Sequence, residues 1–143
     1  MTSPAPNSPC ALVVDDNLLI RMSAADILEE AGFRVLEADH GDDAYELLKT
    51  RHSDVTLLFT DVQMPGTLDG FALARKVAML WPHISLVVAS GHVRPDPGIM
   101  PDKAKFIAKP FSVEVIHTHL QELLPEKEKP KPLQQAAKRN RND

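Results

Sequence analysis

The sequence predicts an α/β fold in which helices cover both faces of a parallel sheet. Short, almost continuously apolar runs recur along the chain, and segments with helical spacing of apolar residues separate them. The runs also lack the polar–apolar alternation of a half-solvated strand, so both faces of the sheet are expected to be buried.

Taken in order, Ala11–Val14 (ALVV) is the first strand. Asn17 can cap a helix whose Ile20, Ala24, Ile27, Leu28 and Ala31 share one face, and Gly32 ends it. Arg34–Glu37 (RVLE) is shorter and reads as an edge strand. Residues 42–51 place Ala44, Leu47 and Leu48 on one stripe, and Thr56–Thr60 (TLLFT) is the third strand. Residues 69–80 repeat the helical pattern through Leu73, Val77 and Leu80 before Trp81-Pro82 stops it. Ser85–Ala89 (SLVVA) is the fourth strand. Residues 91–104 contain three prolines and two glycines, which leaves room for one or two helical turns at most. Lys105–Ala108 (KFIA) is the fifth strand. Ser112 then caps a last helix with Ile116, Leu120, Leu123 and Leu124 on its face, closed by Pro125.

A length of 143 residues suits one domain, and 43% hydrophobic with 25% charged residues is ordinary for a globular chain. No apolar run approaches the roughly 18 residues of a membrane helix. The start, MTSPAPNSPC, has neither the basic end nor the apolar stretch of a signal peptide. A cytoplasmic protein with no membrane contact is the expectation. The lone Cys10 cannot form an internal disulfide and reads as an inert thiol beside the first strand. Net charge is −4, but residues 1–124 carry 10 Lys/Arg against 17 Asp/Glu, while residues 125–143 carry 6 against 3. So acidic a body is a poor nucleic-acid binder. Composition divides the chain into a flexible start at 1–9, a domain over 10–124, and a tail over 125–143. The tail is rich in Pro, Lys, Glu and Gln, which predicts disorder and a solvated KRNR run.

The chemistry lies at the carboxyl ends of the strands, where ligands of open α/β sheets gather. The first strand ends on Asp15 and Asp16, the third on Asp61, the fourth on Ser90, and the fifth on Lys109 followed by Pro110. Three crowded carboxylates raise one another's pKa unless a cation relieves them. A hard divalent ion answers that need, with Mg²⁺ (or Mn²⁺) the best fit because it leaves room for phosphate oxygens. The six histidines (His40, His52, His83, His92, His117 and His119) are scattered and offer no competing soft-metal site; His117 and His119 read as surface residues. On such a rim Asp61 can attack phosphorus to form an acyl phosphate. Lys109 can neutralise phosphoryl oxygens, and Ser90 can donate to one.

Four stretches at these ends, VVDDNLLIR, FTDVQMPG, VVASGH and FIAKPF, stand in order across about residues 10–124. Through them the sequence resembles the receiver domain of two-component response regulators, of the single-domain type. The resemblance implies a flavodoxin-like (CheY-like) three-layer α/β/α fold with strand order 2-1-3-4-5 and five helices. The Pro-rich segment makes the fourth helix short or degraded here. It implies that Asp61 is the phospho-acceptor, that Asp16, Asp61 and the backbone carbonyl of Gln63 hold Mg²⁺ with Asp15 acting largely through water, and that Lys109 pairs with the phosphoryl group. The Lys109–Pro110 peptide is expected to be cis. In the switch so implied, Ser90 moves toward the phosphoryl group and Phe106 turns into the space vacated. Phe106 lacks the hydroxyl of the tyrosine that many receivers carry. Gln63 and His92 would flank the path of an attacking water. A shortened fourth helix weakens the usual dimerisation face, so a monomer or weak dimer is expected.

The function implied is a stand-alone phospho-acceptor served by a sensor histidine kinase or a phosphotransfer protein. It is not an enzyme in the usual sense, although it catalyses its own phosphorylation and dephosphorylation. With only the tail after residue 124, no output domain is expected there. The alternatives are the receiver part of a longer chain, such as a hybrid histidine kinase, and a pseudo-receiver that works without phosphorylation. A phosphatase of the haloacid dehalogenase type needs an acid two residues after its nucleophile, where Gln63 stands. A flavodoxin-like electron carrier needs a Ser/Thr/Gly phosphate loop where this chain has DDNLL.

Overall fold

Five strands lie parallel in the order β2-β1-β3-β4-β5 in the computed structural model, which describes residues 8–92 and 94–134. Along the chain these are β1 (Cys10–Val14), α1 (Leu18–Glu30), β2 (Arg34–Ala38), α2 (Gly41–Arg51), β3 (Val55–Asp61), α3 (Gly70–Leu80), β4 (Ser85–Ser90), β5 (Lys105–Ala108) and α4 (Val113–Leu123). A short 3-10 helix, Glu126–Glu128, follows.

Alternate strand residues point to opposite faces and so divide the core in two. Leu12, Val14, Leu58, Leu86 and Val88 meet Ala44 and Leu48 of α2 and Leu73 and Val77 of α3. Ala11, Val13, Leu57, Phe59, Val87 and Ile107 meet Ala24 and Leu28 of α1 and Ile116 and Leu120 of α4. All of β1 is buried, which explains why its run shows no polar alternation. Each fully buried Leu or Ile contributes about 1.5–3 kcal/mol. The register keeps the strand ends level, with Val14 opposite Thr60, Asp61 opposite Ala89 and Ser90 opposite Ala108. Caps fix where helices start: the side chains of Asn17, Asp69 and Ser112 accept from the amides of Ile20, Ala72 and Val115.

Among the described residues, 91–104 form turns and no regular helix, in keeping with the short or degraded fourth helix expected there. Pro95, Pro97 and Pro101 lack the donors a helix needs, and Gly98 takes φ +83°. The segment is instead pinned by cations. Arg75 Nη1 donates to the Ile99 carbonyl at 2.7 Å and Lys103 Nζ to the Pro82 carbonyl at 2.6 Å.

Part of the tail for which disorder is expected, over 125–143, lies within the described residues. Within 125–134, Pro130 and Leu133 are buried against the domain; residues 135–143, including the KRNR run, lie outside the described residues, as do residues 1–7. Leu133 is 1% exposed in the α1/α4 half of the core, and Gln121 Nε2 donates to its carbonyl at 2.7 Å. Gly32, at φ +105°, makes room: a Cβ there would lie 2.6 Å from Pro130 Cβ and 2.8 Å from Pro132 Cδ. One leucine placed after two prolines outweighs a polar composition averaged over the tail. At the other end Ser8 and Pro9 are tied to β2, their carbonyls accepting from Arg34 at 2.8 and 2.9 Å. His117, expected at the surface, is half-buried. Among the described residues no helix is long and apolar enough to cross a membrane.

Candidate functional site

The carboxyl ends of β1, β3, β4 and β5 form one rim. There Lys109 Nζ donates to Asp15 Oδ2 and to Asp61 Oδ1, each at 2.9 Å. All three side chains are largely buried, 14%, 6% and 11% exposed for Lys109, Asp15 and Asp61. The loop after β1 holds Asp15 in place: its Oδ1 accepts from the Asn17 amide at 2.9 Å, and its carbonyl accepts from Arg21 Nη1 at 2.9 Å. Arg21 is itself oriented by Glu37 at 3.1 Å. Asp16 is exposed, yet carboxylate oxygens of Asp15, Asp16 and Asp61 lie within 4.8 Å of one another.

Ser90 is buried; its Oγ accepts from the His92 amide at 3.2 Å and its carbonyl from the Lys109 amide at 3.0 Å. The Lys109–Pro110 peptide is cis. Gly70 lets α3 begin against the end of β3, since any Cβ there would collide with the Asp61 carbonyl, and its amide donates to the Val62 carbonyl at 2.8 Å.

Burial pushes the Asp61 carboxyl above its ordinary range and the neighbouring Asp15 charge adds to this, against the opposing Lys109 hydrogen bond. Burial alone would pull Lys109 down, but hydrogen bonds and charge from Asp15 and Asp61 outweigh it, so its ammonium is held above the ordinary value. One ammonium balances one of three carboxylates. The remaining charge of two, on oxygen ligands alone, matches a hard divalent ion. The donor set therefore fits the Mg²⁺ that the sequence implies.

Asp15, Asp16, Asp61, Gln63, Ser90, His92 and Lys109 all line one cleft of about 620 Å³. Phe106 does not line it; it pairs with Val88 across β4 and β5 and packs, half-buried, on the α2/α3 half of the core. Sequence reasoning missed the supporting residues. Asn17 was legible only as a helix cap, and Arg21 only as the end of a motif. Of the apolar wall, Ile20 was read only as part of the apolar face of α1, and Leu19 and Phe111 carried no separate mark. Phe111 is fixed edge-to-face on Phe59, with ring centres 5.5 Å apart.

Residues 11–121 match the response regulator receiver domain family. This chain is a receiver. CpdR, a response regulator receiver protein of Brucella abortus, is 34% identical over 122 residues, covering 82% of this chain and 92% of CpdR. The sensor kinase CckA of the same species is 32% identical over 120 residues, covering 82% of this receiver but 13% of CckA. The receiver thus spans about a tenth of the length of the sensor kinases it matches. A response regulator receiver domain of Clostridium thermocellum shares the fold, with a TM-score of 0.74 at 24% identity over 84% of this chain and 97% of that one.

Proposed function

We propose that this receiver takes a phosphoryl group onto Asp61 from a sensor histidine kinase or a phosphotransfer protein, and signals by changing its affinity for a protein partner. The observation that carries this reading is the buried Lys109 bridge to Asp61 and Asp15 at a rim of oxygen ligands. In the transfer, an Asp61 oxygen forms a bond to phosphorus as the phosphorus–nitrogen bond of the donor phosphohistidine breaks, its electron pair returning to the imidazole. Asp15, Asp16, Asp61 and the Gln63 carbonyl would hold Mg²⁺ (or Mn²⁺), which supplies charge neutralisation at the phosphoryl oxygens. Lys109, within reach of Asp61 already, pairs with a phosphoryl oxygen. Ser90 donates to another, and its movement frees space toward which Phe106 turns. Gln63 and His92, both exposed at the cleft, govern the entry of the water that ends the signal.

The donor's approach is marked by an apolar strip. Leu18, Leu19 and Met22 of α1 are 55%, 77% and 49% exposed, and Leu19 also lines the cleft. Such a strip suits the face of a helix that presents a phosphohistidine. The same chemistry serves a separate cytoplasmic receiver, or one that works within a longer chain. In neither setting is it an enzyme acting on a separate substrate.

The test is phosphotransfer from purified phosphorylated histidine kinases and phosphotransfer proteins, beside Asp61→Asn. Label reaching wild type and not Asp61→Asn supports the reading. Equal binding of a partner by both proteins, with no label on either, would make the rim a phosphorylation-independent docking surface.

A further inference from the structure

The loop over residues 62–69, which carries Gln63 from β3 to α3, is tied at its far end to another helix. Thr67 Oγ1 donates to Asp42 Oδ1 at 2.6 Å, and the Thr67 amide donates to Asp42 Oδ2 at 2.9 Å. Asp42 stands in the first turn of α2, where the helix dipole also favours a carboxylate. Two glycines allow loop and helix to come this close. Gly66 takes φ +103°, and a Cβ on it would collide with Asp42 Oδ2; a Cβ on Gly41 would collide with the Leu68 carbonyl. The two ends of the loop are fixed at α3, where the Gly70 amide donates to the Val62 carbonyl and the Asp69 side chain accepts from the Ala72 amide, at 2.8 Å each.

Gln63 therefore lies between two anchors, one on α3 and one on α2. We propose that Asp42 is a positioning residue of the acceptor site: through Thr67 it holds the 62–69 loop so that Gln63 keeps its place in the cleft that Asp61 also lines. This rests on reading the cleft as a Mg²⁺-dependent phospho-acceptor. Asp42 touches no reacting atom and acts only through the loop. A two-point, charge-assisted grip is the strong form of such a contact. The Thr67 hydroxyl, followed by its amide, also keeps the Asp42 carboxyl below the usual range, so the grip persists in mild acid. Of the neighbouring groups, His40 Nε2 lies 3.4 Å from Asp43 Oδ2, and His40 also helps to hold the Asp42 carboxyl down.

The test compares wild type, Thr67→Val, Thr67→Ser and Asp42→Asn by Mg²⁺ titration calorimetry, and by amide hydrogen exchange over residues 62–68 in metal-free protein. Thr67→Val keeps the size of the side chain and the amide bond but removes the hydroxyl bond. It is expected to weaken Mg²⁺ binding about threefold to tenfold and to speed exchange in the loop by a similar factor. Thr67→Ser is expected to restore both, and Asp42→Asn to lose part of both. Unchanged Mg²⁺ affinity in Thr67→Val and Asp42→Asn would overturn the proposal while leaving the acceptor reading intact. Failure of Thr67→Ser to restore binding would also overturn it, because a general loss of structure would then explain the effect. Wild type that binds no Mg²⁺ would overturn the acceptor reading and this proposal with it.

Discussion

Lys109 and Asp61 meet at 2.9 Å although β4 lies between the strands that carry them. The lysine reaches across the end of β4 to Asp61. That reach makes the ammonium the built-in counterion of the site. Its folded pKa is raised, so the stability it contributes is present in full below the ordinary lysine range and is lost only as pH rises through the folded value. At neutral pH it is fully in force. Lys109→Met is therefore expected to destabilise the metal-free protein by about 1–3 kcal/mol, the cost of leaving largely buried carboxylates without a partner. Urea unfolding checks this, and the deficit should shrink as falling pH protonates Asp61.

Asp61 behaves in the opposite sense. Its pKa is raised, first by burial and then by Asp15, so its ionisation costs the folded state more than the unfolded one. The stability tied to its protonated form is present below the unfolded value and is lost as pH rises through the folded one. Asp61→Asn should consequently melt above wild type at neutral pH without divalent ions. Mg²⁺ should reverse that order, adding about 2.7 kcal/mol to wild type at a hundredfold excess over its Kd and little to the variant. Thermal melts with and without Mg²⁺ read both effects.

Leu133 gives a direct measure of the packed tail. Leu133→Ala is expected to cost about 2–3 kcal/mol, the low end for a buried leucine because the site lies at the margin of the core. A solvated leucine would change stability by no more than about 0.5 kcal/mol. Denaturant unfolding of the full chain separates the two.

Cys10 lies fully buried at the start of β1, and burial pushes its thiol pKa up. Native protein should resist alkylation at mildly basic pH and react at once in denaturant, which a timed thiol assay would show.

Much of this architecture was legible because a parallel sheet brings the carboxyl ends of its strands together. Asp15, Asp61, Ser90 and Lys109 could be assigned to one rim before any distance was known, since each ends an apolar run. The supports of that rim were not legible in the same way. Arg21 and Glu37 meet only because α1 packs beside β2, and Asp42 reads as a first-turn helix acid until the loop after β3 folds back on it. Leu133 was hidden by the polar residues around it, because composition averages over a segment while burial selects one side chain. The prolines of 91–104 did predict a short or degraded helix, but they gave no sign of the Arg75 and Lys103 contacts that hold the segment.

The measurement that tests the central claim most directly is borohydride trapping of the phosphorylated protein, followed by peptide mass mapping. Hydride reduces an aspartyl phosphate to the alcohol, with release of phosphate, and so marks the residue that carried it. The account predicts homoserine at position 61 alone, dependent on Mg²⁺ and on a phosphodonor. Reduction at Asp15 or Asp16 instead, or none at any carboxylate under conditions that label the protein, would contradict it.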